Sequence, residues 1–512
     1  MDDKNSFFVT TPIYYVNDNP HIGHAYTSIA CDALARFNRL KSKDVMFLTG
    51  TDEHGLKIEQ AAKKRKIETK KFVDEMSTHF KKLTKTLNIS NNSFIRTTEE
   101  HHKKTSQHIW KILENNNQIY LDKYKGWYSI SDEAYYNEDE VKEDKESKKK
   151  LAPSGHEVEW VEEESYFFKL SKWQGKLLDY YQKNPDFIAP ESRKNEVISF
   201  VKNGLKDLSI SRTTFSWGIQ VPNNTKHVMY VWLDALINYL SAIGYPDKKY
   251  KKFWPANVHI IGKDIIRFHA VYWPAFLLAA DIEPPKRIFA HGWWTNEGKK
   301  ISKSLGNVID PNEIIKAYGV DTLRFFLLRE VPFGNDGDFS KKSLQRRMNN
   351  DLANDLGNLV QRVLTIINKN LDGKLSKIKQ IKENDKKIYE YPEELLKNIE
   401  KNYEKQEFHK VIENIWKLIS RANKYVDESA PWQLIKDDRE RAGDVLNILV
   451  IIIAKIAIFL APIMPDISEN ILNKIGLSIK NLTMEDIGKD TFLNTDHIIK
   501  KPEIIFHKID NE

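Results

Sequence analysis

Two kinds of apolar spacing divide this chain. Near the start, short runs of strand type alternate with helical spacing; from about residue 346 onward the spacing is helical. Ser6-Phe7-Phe8-Val9-Thr10-Thr11 is aromatic and β-branched, which predicts a buried strand stopped by Pro12. Asn17-Asp18-Asn19-Pro20 predicts a turn. Ile22, Tyr26, Ile29, Ala33, Phe37 and Leu40 then recur at helical spacing, so a helix starts near Ile22. Val45-Met46-Phe47-Leu48-Thr49 reads as a second strand, with Gly50 and Asp52 at its carboxyl end. His259-Ile260-Ile261-Gly262 and Ile288-Phe289-Ala290-His291-Gly292 are two further short strands, and Phe333 to Asp338 is a turn. Leu352, Leu356, Leu359, Val360 and Val363 share one helix face, and Ile415, Leu418, Ile419 and Ala422 share another. The lysine-rich stretch from Asn368 to Lys387 reads as an exposed connection. Ile448 to Leu460 is the most apolar stretch; it carries Lys455, ends at Pro462 and Pro465, and is too short to span a bilayer. It reads as a buried helix.

A chain of 512 residues needs more than one core. Strands alternating with helices predict a parallel α/β sheet, whose ligands sit at the carboxyl ends of its strands. The expected segments are 1–116 and 213–293 as two halves of that sheet domain, 117–212 as an insertion, 294–345 as a linking region and 346–512 as a helical domain. The charge run from Glu138 to Lys150 reads as a solvated loop. A net charge of +7 is compatible with an RNA partner without demanding one. Cys31, the single cysteine, excludes an internal disulfide. With no signal peptide at the start, a cytoplasmic protein that does not enter a membrane is expected.

Candidate chemistry lies in two short motifs. His21-Ile22-Gly23-His24 falls at the predicted helix start, where N–H groups without helical partners favour anions. Gly23 would let a phosphate or an adenine approach the backbone. Taken alone, a His-x-x-His at a helix start is two surface histidines. The second motif, Lys300-Ile301-Ser302-Lys303-Ser304, follows the polar run Asn296 to Lys299. Its ammonium groups suit a leaving pyrophosphate, although a solvated basic loop has the same composition. No Gly-x-x-x-x-Gly-Lys-Ser/Thr phosphate loop is present.

Together the motifs resemble the HIGH and KMSKS signatures of class I aminoacyl-tRNA synthetases, with Ile301 in place of methionine. Thr10 to His24 is similar to the methionyl-tRNA synthetase family in particular. Four further segments agree with that family in its order: Leu48 to Gly55, Val231 to Ala235, Gly262 to Ile265, and Tyr425 to Trp432. The resemblance implies an α/β fold: a class I Rossmann-type parallel-sheet catalytic domain, interrupted by a connective insertion and followed by an α-helical anticodon-binding bundle. It implies activation of methionine with ATP and Mg2+ to methionyl-adenylate, then transfer to tRNA(Met), initiator and elongator. His21, His24, Lys300 and Lys303 would be the catalytic groups. Gly23, Gly262, Asp264 and Ser302 would complete the ATP site. Asp52 would take the substrate ammonium, although it could equally cap a helix ahead of Glu53. Ile13, Tyr15, Trp232, Ala235, Leu236, Tyr239 and His291 match the family's methionine pocket. Spacing alone leaves Trp232 and Tyr239 as ordinary core aromatics. Leu236 stands where some relatives have proline. Asn358, Arg362 and Trp432 match the residues that read the CAU anticodon; otherwise Asn358 caps a turn and Trp432 anchors the bundle.

The chain departs from the family at the insertion. Trp127 to Glu133 and Ala152 to His156 lack the cysteine pairs that hold zinc in many relatives, so no structural zinc is expected. The chain also ends without the C-terminal module that some relatives use to dimerise, and a monomer is expected. Three rivals differ in class: another class I synthetase, a silent tRNA-binding homologue, and a small-molecule adenylyltransferase. The pocket residues, the intact signatures and the helical domain weigh against them in turn.

Overall fold

The computed structural model describes residues 5–144, 147–301, 307–375, 377–489 and 497–509, the Lys300 side chain excepted. They form two compact units. The first comprises Met1–Pro20, Met46–Lys85 and Ile89–His291; the second comprises His21–Val45, Thr86–Asn88 and Gly292–Glu512. The helix Ile22–Leu40 thus groups by contact with the C-terminal half of the chain.

Among the described residues the first unit is built on a seven-stranded sheet. From one edge its strands are Ile188–Ala189, Ile288–His291, Val258–Gly262, Ser6–Thr10, Asp44–Asp52 and Tyr14–Tyr15, with Ser93–Arg96 also paired to Asp44–Asp52. The pairing is parallel where Val9 meets Val258, His259 meets Ile288, Leu48 meets Ser93 and Tyr15 meets Asp52. From Ser6–Thr10 the chain builds outward on one side through Asp44–Asp52, and it returns later to build on the other. The strand order therefore reverses beside Ser6–Thr10, and sheets of this kind bind ligands at such a switch point. Thr10, Asp52, Gly262 and His291 all stand at carboxyl ends. Buried apolar side chains such as Phe8, Leu48, Trp110, Phe168 and Trp273 form one continuous core through this unit.

The insertion is an antiparallel sheet of four strands: Leu208–Ser209, Glu159–Phe168, Ile119–Ser129 and Ala134–Tyr136. Its long central pair runs in register from Ile119 opposite Phe168 to Tyr128 opposite Glu159.

The second unit is largely helical. Helix Phe408–Ser429 buries Val411, Ile415, Leu418, Ile419 and Ala422 along one stripe. Helix Arg439–Leu460 is buried on all sides from Ala442 onward. It is long and apolar enough to cross a membrane, yet it is wholly enclosed by protein, as the central helix of a bundle is. Among the departures from the sequence expectation are two short strands. The run Phe333–Asp338 is only partly a turn, because Gly337–Phe339 is a strand paired in parallel with Trp294–Asn296. The lysine-rich connection contains the strand Lys374–Leu375, paired with His497–Ile498, and the helix Glu383–Tyr389. Both strands are only two or three residues long, so no alternating run of side chains announces them.

Candidate active site

The strand Asp44–Asp52 delivers three consecutive acid–base groups to its carboxyl end, and each is turned a different way. Asp52 is the last strand residue and the following helix begins only at Leu56, so Asp52 is not a helix cap. Its carboxylate is buried, and Oδ1 has no hydrogen-bond partner among the described residues. Burial and the nearby Asp234 carboxylate push its pKa well above the usual range; Glu133 and Glu53 push the same way, and the His54 N–H partly offsets them. Such a site strongly favours an incoming cation. Glu53 turns inward. It accepts from Arg96 Nε at 2.6 Å and Nη2 at 3.0 Å, and from Thr51 and Thr98 hydroxyls at 2.8 and 2.5 Å. His54 turns toward Asp234, 2.6 Å from Nδ1 to Oδ2. Gly55 has φ +109°, and a Cβ there would meet the Tyr15 hydroxyl at 2.6 Å. That hydroxyl lies 3.1 Å from the His54 carbonyl and 3.0 Å from Glu133 Oε1.

Helix Val231–Ser241 supplies the apolar and aromatic candidates. Trp232 is half-buried and lies flat on Phe268, with ring centroids 3.8 Å apart and planes 6° from parallel. Its indole N–H is buried with no partner among the described residues. Ala235, Leu236 and Tyr239 are buried. Tyr239 donates to His269 Nε2 at 2.8 Å, and its ring stacks on His259 with centroids 4.0 Å apart. The His269 Nδ1–H donates to the Ile265 carbonyl at 3.0 Å, which fixes the neutral tautomer. Burial lowers its pKa to about 4. Gly262 and His291 are partners in the parallel register, so they occupy neighbouring strand ends. Ile13 is half-buried before Tyr14–Tyr15, whereas Asp264 is exposed on a short 3-10 turn.

The histidine motif begins the helix Ile22–Leu40 as expected, but its amides do not serve as the anion site the sequence suggested. They are already paired. The Gly23 N–H donates to His21 Nδ1 at 3.1 Å, and the His21 N–H donates to His24 Nδ1 at 3.0 Å. The Ile22 and His24 N–H groups donate to the Ile309 and His21 carbonyls at 3.3 and 3.0 Å. The two imidazoles cap the helix reciprocally. A ring that accepts at Nδ1 carries its proton on Nε2. Burial, and then the neighbouring His21, hold the His24 pKa well below the ordinary histidine value. Both rings are thus neutral, with the proton on Nε2. A Cβ at Gly23 would lie 2.9 Å from His21 Cε1, so a side chain there would press on the capping ring.

Lys299–Lys300 forms a strand with Trp294–Asn296. Thr295 Oγ1 and the Gly298 N–H both donate to Asp338 Oδ1, at 2.5 and 2.7 Å, and Asn296 Nδ2 donates to the Asn307 carbonyl at 2.9 Å. These bonds fix both flanks of the lysine motif. Ser302, Lys303 and Ser304 lie outside the described residues, as does the Lys300 side chain.

In the helical region Asn358 opens the helix Asn358–Asn370 and is exposed. Arg362, one turn on, lies 5.7 Å from the Trp432 ring centroid and donates to Asp427 at 2.6 Å. Trp432 is 41% exposed, so it does not anchor the bundle. It follows Ala430, which holds φ +41°, and Pro431, which starts a new helix. That abrupt turn brings the indole over Arg362.

At the cysteine-free insertion, Asp132 accepts from Tyr136, Ser154 and His156 at 3.0, 2.5 and 2.6 Å. Among the described residues no group of three or more His, Cys, Asp or Glu could hold a metal ion.

Several groups beside these candidates escape sequence reading. Phe268 and His269 sit in a π-helical segment, Phe268–Tyr272, and no apolar period marks such a bulge. His102, Glu133 and Asp234 are buried polar groups that meet Asp234, the Lys57 N–H and His54 across 132, 76 and 180 positions, too far for any local pattern. The only available signal was Asp234 itself, an acid inside the apolar run Val231-Trp232-Leu233-Asp234-Ala235-Leu236.

A parallel sheet with ligand groups at its carboxyl ends, an antiparallel insertion, and paired histidines capping a helix together describe a class I tRNA synthetase. The family pattern for tRNA synthetases class I (M) matches residues 7–364, and that for the anticodon binding domain of methionyl tRNA ligase matches residues 376–512. The chain is 54% identical to the methionine–tRNA ligase of Rickettsia felis, covering 99% of each sequence. It is 47% identical to that of Bacillus subtilis, covering 100% of this chain and 79% of the other. Mycobacterium tuberculosis methionyl-tRNA synthetase, solved in complex with methionyl-adenylate, superposes with a TM-score of 0.95 at 45% identity, over 98% of this chain and 99% of that one. The chain belongs to the methionyl-tRNA synthetase family of class I enzymes.

Proposed function

We propose that this enzyme is a methionine–tRNA ligase that works through the residues described above. A methionine carboxylate oxygen attacks the ATP α-phosphorus; the bond to the β-phosphate oxygen breaks, and pyrophosphate leaves with the electron pair. The product is methionyl-adenylate. A ribose hydroxyl of the tRNA terminal adenosine then attacks the methionyl carbonyl, and AMP leaves. No protein nucleophile is required, so the contribution of the chain is positioning and charge stabilisation. Asp52 holds the substrate ammonium. Trp232, Tyr239, Ile13, Ala235, Leu236 and His291 enclose the thioether, whose polarizable sulfur is favoured beside aromatic rings. Tyr15 closes the same side.

The Nε2–H groups of His21 and His24 donate to phosphate oxygens as charge grows on them. As neutral donors they add no full positive charge to the resting site. Lys300 and Lys303 neutralise the departing pyrophosphate, with Ser302 beside them, and Gly23, Gly262 and Asp264 border adenine and ribose. Magnesium arrives with ATP, bound to the phosphates as part of the substrate. Asn358, Arg362 and Trp432 read splayed anticodon bases by hydrogen bonds and stacking. Initiator and elongator tRNA(Met) share that anticodon, so both are substrates. The enzyme works as a monomer in the cytoplasm.

The observation that carries this reading is the likeness, along the whole chain, to a synthetase solved with methionyl-adenylate. Amino-acid-dependent ATP–pyrophosphate exchange across the standard amino acids tests it. Exchange with methionine alone is expected. Exchange with a different amino acid would overturn the pocket assignment, and none with any would overturn the activation step.

A further inference from the structure

Beneath the Asp52 carboxylate runs a buried polar chain that the reaction does not itself use. Asp234 is fully buried on helix Val231–Ser241 and receives two imidazoles, one on each oxygen. His54 Nδ1 lies 2.6 Å from Oδ2, and His102 Nε2, on helix Glu100–Asn115, lies 2.7 Å from Oδ1. His102 Nδ1 meets the Ser241 hydroxyl at 2.8 Å. A carboxylate so deep is costly, and an apolar side chain would serve packing as well or better. Burial alone would raise the Asp234 pKa; the His54 charge and the hydrogen bonds from both rings overcome this and hold it at about 2. His54 follows Asp52 by two residues at the end of strand Asp44–Asp52, and the Tyr15 hydroxyl donates to its carbonyl at 3.1 Å. The ring of His54 is therefore anchored at Asp234 and its carbonyl at Tyr15, two residues from Asp52. On the far side, Arg96 clamps Glu53, and Trp217 Nε1 donates to the Glu53 carbonyl at 2.6 Å.

We infer that His54, Asp234 and His102 are positioning residues for the ammonium site: by fixing the His54 peptide they hold the Asp52 carboxylate in the orientation that receives the substrate amine. This rests on the reading of Asp52 given above. It assigns part of the enzyme's preference for an α-amino acid to three residues that never touch the substrate.

The test is methionine-dependent pyrophosphate exchange, with methionine and ATP titrated separately, in the wild type, Asp52→Asn, Asp234→Asn and the double variant. Binding of 4-(methylthio)butanoate, which lacks the amine, is measured alongside by calorimetry. Asp234→Asn is expected to raise the KM for methionine roughly ten- to a hundredfold, the scale of one misplaced hydrogen bond to a charged group. The KM for ATP and the affinity for the desamino analogue should hardly change. In the double variant the Asp234 change should add nothing to Asp52→Asn. Additive losses, or an equal loss for the desamino analogue, would reduce Asp234 to a general structural role and overturn the inference. An unchanged methionine KM in Asp52→Asn would overturn the ammonium reading itself, whatever Asp234 does. Should Asp234→Asn fail to fold, His102 decides the matter. His102→Gln keeps a donor where Nε2 stands and should retain wild-type behaviour, whereas His102→Leu should reproduce the methionine defect; equal behaviour of the two variants would overturn the inference.

Discussion

At the scale of single residues, the two signature histidines each do two jobs with two different atoms. Nδ1 accepts a backbone N–H and closes the helix cap, while in the proposed reaction Nε2 carries the proton offered to phosphate. The jobs can be separated. Asn at position 24 places an oxygen near the Nδ1 position and has nothing at Nε2. His24→Asn should therefore keep its melting temperature and lose about a hundredfold in adenylate formation, the usual scale for one transition-state donor. His24→Ala should lose the same rate and also about 1 kcal/mol of stability, the usual cost of a missing N-cap. Pre-steady-state burst measurements beside thermal melts would decide; a fully active Asn variant would refute the donor role. Asp52 gives a prediction in pH. Only its ionised form attracts an ammonium, and its pKa is raised by burial and by Asp234. Methionine affinity should thus fall as pH drops through that raised value, well above the ordinary carboxylate range, by about tenfold per unit below it. Calorimetric titration against pH should show this limb in the wild type and not in Asp52→Asn.

At the scale of elements, the helix Ile22–Leu40 is fixed by an ion pair whose members are far apart in sequence. Arg324 Nη2 lies 2.6 Å from Asp32 Oδ2, and both side chains are fully buried. The same guanidinium donates to the carbonyls of Leu87, Pro462 and Ile463, at 3.2, 3.0 and 2.8 Å. Arg36, one turn along the helix, also reaches Asp32 at 2.7 Å. Phe37 on this helix stacks on Tyr403, with centroids 4.0 Å apart. Arg324→Met would leave three carbonyls and a carboxylate short of donors. Breaking a buried pair from one side costs about 3–5 kcal/mol, so a loss of that size is expected in urea unfolding. A change below about 1 kcal/mol would show that Arg36 and solvent take over. Hydropathy spacing announced the helix but not this anchor. Asp32 lies within the stretch Ala25–Ala35, which is buried on every side of the helix, and nothing local distinguishes a buried acid from a solvated one.

At the scale of the whole molecule, activation and tRNA reading call on different parts of the chain. Trp432 is exposed and lies with Arg362 on the helical region. Its replacement by Ala should weaken tRNA binding by about 1–3 kcal/mol, the worth of stacking one base, and leave pyrophosphate exchange intact. Aminoacylation measured beside exchange would check this. A parallel fall in both would make Trp432 structural.

The sequence by itself determined several strands of the parallel sheet, the principal helices and the order of the signatures, because these rest on local periods and on short motifs of defined composition. Ser6–Thr10, Ile22–Leu40 and Val258–Gly262 lie within a few residues of where apolar spacing put them. The α/β class and the helical C-terminal region followed from the same spacing. The tertiary structure decided what each polar group faces. It turned Asp52, Glu53 and His54 three different ways from consecutive positions, and it filled the helix-start amides with imidazole nitrogens. It also brought His102 and Asp234 together across 132 positions. The reason is physical. Apolar burial repeats with the period of its element and so is written locally, whereas a buried hydrogen bond pairs two atoms that only the folded chain makes neighbours.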